Sequence, residues 1–281
     1  MRPSWQIDLK WVAGIFACVA IVVSGVLFSL AEITERGRAE PLSAAFVAFL
    51  VDNRVTDDEF EAVQAQAATD PSSTISLSPL GVEVPGSQIA GLDSEATSLL
   101  FAGELAAVLY AEGTEAAEAL ILEPRPNEGG EQQEAIELGP TGSLTAGQHS
   151  TFRTLFFASL AVVIALLGLV AFLSRGLGRL GAPSVVIALS TAPLAGFWAL
   201  AGNAVGTPGD DEALYAVIAR QLVHDTAGDL RNFFVAVLGI ALAWAVIAFV
   251  GALLTPLSRK LGRSLANRFT PAPQLDAGPS G

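Results

Sequence analysis

Four runs of about twenty residues, 11–30, 154–173, 183–204 and 233–254, contain no Asp, Glu, Lys, Arg or His at all. Apolar runs of this length cross a hydrocarbon core roughly 30 Å thick as helices. The same absence argues against ion-coupled transport and intramembrane proton relays, which depend on ionisable groups inside the spans. Cysteine is scarcer still. The one thiol, Cys18, lies inside the first run, so neither an intramolecular disulfide nor a Cys-based zinc site can form. Also missing are a P-loop, a Gly-x-Ser-x-Gly elbow and a His-Glu-x-x-His helix, which leaves no enzymatic motif and no implied cofactor.

What the sequence does contain is acid, gathered in one place. Residues 31–153 hold twenty-one Asp and Glu against five Arg, a formal −16, while the whole 281-residue chain carries −13. Such a segment repels nucleic acid and anionic head groups and attracts cations or basic proteins. Only Lys10 and Lys260 accompany thirteen Arg. That surface suits a high-salt habitat, and it equally suits a GC-rich genome in which Arg codons displace Lys.

Basic residues set orientation across a membrane. Arg2 and Lys10 precede the first run, Arg175 and Arg179 follow the second, and Arg259, Lys260, Arg263 and Arg268 follow the fourth. Those segments hold only two acids, Asp8 and Asp276, and the other twenty-six Asp and Glu fall in the two remaining segments. The chain therefore reads as an α-helical integral membrane protein of the plasma membrane, with four transmembrane helices and a mainly α, partly extended or hairpin, acidic extracytoplasmic domain inserted between helices 1 and 2. Its expected parts are a cytoplasmic N-terminus (1–10), the first span (11–30), the domain (31–153), the second span (154–173), a cytoplasmic turn (174–182), the third span (183–204), an outer amphipathic loop (205–232), the fourth span (233–254) and a basic, then disordered, cytoplasmic tail (255–281). A competing reading makes the start a cleaved signal peptide, because Ser29-Leu30-Ala31 has a small-x-small pattern. Against it stand the length of the run, Asp8 in its flank and the interfacial Trp11.

Within the domain, Phe46, Phe49 and Leu50 recur at helical spacing in a segment that starts near Pro41. Thr56-Asp57-Asp58-Glu59 is a capping-box pattern that opens a second helix with Phe60 and Val63 inward. Residues 74–84 read as extended chain. Asp93 or Ser94 caps a long helix whose Phe101, Leu105, Val108 and Leu109 share one face. Residues 119–138 are a hairpin or an acidic loop around the turn-rich stretch 124–130. Thr145-Ala146-Gly147-Gln148 is a further capping-box pattern, and the helix it starts is expected to run straight into the second span. The domain's apolar residues are few, which predicts a small core that leans on the bundle or on a partner. In the outer loop, Tyr215, Ile218 and Leu222 share a helical face that either lies in the interface or packs beneath the domain.

Candidate chemistry is thin. His149 and His224, the two histidines, sit just before the second and fourth spans, and with Asp225 and Asp229 they are weak candidates for a metal or proton-relay site; two solvated interfacial histidines are the simpler reading. Pro193 and Asn203 mark a possible polar or kinked region of the third span. The leading expectation is a non-enzymatic structural or accessory protein that presents its acidic domain to a protein partner or to a second copy, with the lipid bilayer as its solvent and no nucleic acid involved. Transport or ligand sensing around Pro193 and Asn203 is the alternative. A metal-dependent enzyme at the outer interface comes third.

Overall fold

The computed structural model describes residues 4–52, 55–78, 80–121, 142–174, 176–206 and 213–269. Four of its helices are long and apolar enough to cross a membrane: α1 (Ser4–Ile33), α7 (Ala146–Leu173), α8 (Gly178–Val205) and α9 (Leu214–Phe269). They pack as two antiparallel pairs, α1 with α7 and α8 with α9, joined chiefly where α1 meets α8. Each span leaves most of its side chains uncovered by the others, including Phe172, Leu189, Leu200 and Phe249. This is how helices meet an apolar solvent, where small residues make the contacts. Ala13 and Ala17 on α1, Ala188 on α8, and Ala241 and Ala248 on α9 are accordingly buried. A side chain at Gly25 would run into Leu194, so the missing Cβ there sets the approach of α1 to α8.

Polar groups inside the bundle are satisfied locally. Ser190 and Thr191 donate to carbonyls four residues back, at 2.7 and 2.9 Å, and the Ser24 hydroxyl meets Ser159 of α7 at 2.8 Å. Near the domain, Trp198 Nε1 donates to Ser29 Oγ at 3.2 Å. Around it, Phe28 lies against Phe156, Phe233 and Phe234, with ring centroids 5.5, 4.5 and 6.3 Å apart.

Between α1 and α7 the chain forms the domain: α2 (Arg36–Asp52), α3 (Asp57–Thr69), strands β1 (Thr74–Ser76) and β2 (Glu83–Pro85), the short α4 (Gly86–Ile89), α5 (Ser94–Glu112) and α6 (Thr114–Leu120). The strands pair antiparallel, with Ile75 opposite Val84. Gly81 closes their connection at φ +60°, and a Cβ there would strike the Leu120 carbonyl oxygen. The expected start signals are present. The Thr56 N–H and hydroxyl both donate to Glu59 Oε2, at 3.0 and 3.2 Å, Asp93 Oδ1 accepts from the Ala96 N–H at 2.8 Å, and Thr145 Oγ1 accepts from the Gln148 N–H at 3.3 Å. From Thr145 the helix does continue unbroken through the second span. Phe101, Leu105 and Leu109 of α5 are fully buried among Val47, Val51, Ile75, Leu77, Leu80 and Ile89.

The inner face of α2 is Ala44, Val47, Ala48 and Val51, while Phe46 and Leu50 are half-buried and Phe49 is 45% exposed. Small and β-branched residues let α2 lie close on α5, and the bulkier side chains are turned to its flanks. Residues 119 and 120 close α6 as helix, and residues 122–138 of the segment expected to be a hairpin or an acidic loop lie outside the described residues. The amphipathic helix of the outer loop is not separate: α9 is one helix of 56 residues that takes in this segment, the fourth span and the basic stretch that follows it. Its Tyr215 packs against the domain core, its ring centroid 5.7 Å from that of Phe49 and tilted by 60°, so this end of α9 lies beneath the domain.

Candidate functional site at the junction of domain and bundle

The chain leaves α1 and enters α2 through a tight turn in which Thr34 is buried and donates from Oγ1 to the carbonyls of Leu30 (2.7 Å) and Ala31 (3.2 Å). The last carbonyls of a helix have no partner within it, so the hydroxyl supplies one. A second comes from α7, where His149 Nδ1 lies 2.9 Å from the Ala31 oxygen. A carbonyl only accepts, so Nδ1 carries a proton and donates. His149 is thus a cap for α1 delivered by another helix. A cavity of about 300 Å3 opens beside it, lined by Phe28, Glu32, Glu35, His149, Arg153 and Phe156 among others.

Arg38, two residues into α2, ties this corner together. Its Nη1 donates to Glu32 Oε2 at 2.7 Å and its Nη2 to Asp229 Oδ2 at 2.9 Å, joining the end of α1, the start of α2 and the domain-side part of α9. The planar guanidinium fork suits two carboxylates at once. Arg36 makes a further, more exposed pair with Glu40 at 2.8 Å. Over the same region burial pushes the Tyr110 phenol up, and the Glu40 carboxylate adds to the effect, so the hydroxyl stays neutral.

The other candidates fall elsewhere. His224 and Asp225 are neighbours on α9, 3.7 Å apart and both well exposed. Asp229 is engaged by Arg38. Among the described residues no group of three His, Cys, Asp or Glu side chains is placed to hold a metal ion. Pro193 and Asn203 are exposed on the surface of α8 rather than buried between helices. The junction therefore offers one imidazole committed at Nδ1, an exposed Arg153 and two carboxylates, one of them paired: an arrangement suited to fastening and to weak polar recognition. Arg38, Glu32 and Arg153 were not singled out from sequence. Glu32 and Asp229 lie 6 and 191 residues from Arg38, and no local pattern announces the second pairing.

Compared with family models, with curated proteins and with solved structures, the chain matches none.

Proposed function

We propose that this chain is a non-enzymatic accessory protein of the plasma membrane, with both termini in the cytoplasm, which holds an acidic domain on the outside for a partner with a basic surface. The observation that supports it most is the fastening of a well-packed domain at three points: the α1–α2 turn with Arg38, the continuous α7, and Tyr215 of α9. A domain held in this way keeps one aspect toward the bundle and presents the other. Asp57, Asp58, Glu61, Glu95, Glu104, Glu112, Glu115 and Glu118 are exposed and form no ion pair among the described residues. Unpaired carboxylates at this density steer a cationic partner and make its capture depend on ionic strength. The orientation follows from the bias of Lys and Arg in the short flanks.

Chemical crosslinking in native membranes, followed by purification in mild detergent, tests this reading. A partner should be recovered reproducibly, and recovery should fall with rising salt and on changing Asp57, Asp58 and Glu61 together to Asn and Gln. Repeated recovery of this chain alone, or of the same partner with the neutralised domain, would count against it.

A further inference from the structure

An apolar groove of about 540 Å3 lies at the end of the spans remote from the domain, between α1, α8 and the distal part of α9. Gly14, Cys18, Gly181, Ala182, Ala245 and Ala248 form much of its wall. Small side chains on three helices here leave a gap where the same residue types elsewhere in the bundle close it. The volume falls within the roughly 300–1,000 Å3 of sites that hold a single small ligand. At its mouth stand Lys10 and the 69% exposed Trp11. Lys10 is half-buried, and no carboxylate pairs with it among the described residues. With its stem along the apolar wall and no carboxylate of the described residues beside it, the Lys10 ammonium is open to an anion supplied from outside the chain.

We infer that this groove is a lipid site: it takes one acyl chain of an anionic phospholipid from the leaflet remote from the domain, with the phosphate on Lys10 and the glycerol region against Trp11. An apolar slot open to the bilayer and a basic residue at head-group depth are the two requirements of such a site. A helix of a second copy would fill the apolar wall and leave the Lys10 charge unanswered, which is why the lipid is favoured. The site does not depend on the domain having a partner.

Native mass spectrometry of the full chain, released from nanodiscs of equal phosphatidylglycerol and phosphatidylcholine, tests the assignment. One phosphatidylglycerol should be retained, preferred over phosphatidylcholine by about five-fold, the preference expected for one basic residue near the surface. Lys10→Gln should abolish the preference while keeping a bound lipid. Gly14→Leu should lose the lipid altogether: a Cβ at Gly14 meets only Val186 Cγ2 at 4.0 Å, so the larger side chain can occupy the groove without disturbing the backbone. Unchanged thermal midpoints would show that both variants fold, and if Gly14→Leu does not, Ala252→Leu fills the same groove from α9. Equal retention of the two lipids by the unaltered chain, a preference that survives Lys10→Gln, or a dimer mass without lipid would overturn the inference.

Discussion

Arg38 does more for this molecule than its position in an acidic segment suggests. It is only 21% exposed, and its two carboxylates come from α1 and α9. Asp229 is 67% exposed, so solvent screens that half of the arrangement. Arg38→Ala should therefore lower unfolding stability in detergent by about 1 kcal/mol, less at molar salt, and Arg38→Lys should not restore it, since a point charge cannot span both acids. A second residue-scale expectation concerns Asp70, in the turn from α3 to β1. Its carboxylate accepts from the Ser72 hydroxyl at 2.7 Å and the Ser72 N–H at 3.1 Å, and these bonds hold its pKa below the ordinary carboxylate value. A carboxylate favoured in the folded state contributes stability above its unfolded pKa and loses it as pH falls through the folded one. The thermal midpoints of the unaltered chain and Asp70→Ala should then differ at neutral pH and converge below the ordinary carboxylate range.

The elements show what a single sequence reveals. The start signals at Thr56, Asp93 and Thr145 were legible because a cap depends on residues three apart, and the face of α5 because Phe101, Leu105 and Leu109 are large. The spacing of Phe46, Phe49 and Leu50 announces α2 but not its inner face, because in a close helix pair the alanines face inward. The continuity of α9 was hidden for another reason. Its composition shifts from mixed polar to apolar near residue 233, which marks a boundary in the sequence although the backbone hydrogen bonds of the helix are indifferent to it. One substitution examines that continuity directly. Proline at Asn232 would remove a helix hydrogen bond in the interior of α9, so Asn232→Pro should cost about 3 kcal/mol or more in thermal unfolding and weaken the contact of Tyr215 with the domain, read as faster proteolysis of residues 213–230. At the junction, the pairing of His149 with Ala31 and of Arg38 with Asp229 could not be read at all. Both cross between helices distant in sequence, and only the packed fold sets them side by side.

At the scale of the whole molecule, one strongly acidic body is mounted on a membrane part whose spans are uncharged and whose flanks are basic. A formal −16 over residues 31–153 repels itself, and ions screen that repulsion over a Debye length of about 10 Å at 0.1 M salt and about 3 Å at 1 M. The midpoint for unfolding of the domain should rise between low and molar KCl, measured by circular dichroism of the full chain in a non-ionic detergent; a flat response would show that the surface is tuned to composition rather than to salt. The 56 residues of α9 have one further consequence. At about 1.5 Å per residue the helix is a beam some 84 Å long, so a tilt of about 5° displaces its far end by about 7 Å. With Tyr215 against the domain core near one end and Ala245, Ala248 and Ala252 in the wall of the apolar groove farther along, a single unbroken helix spans the distance between the two regions.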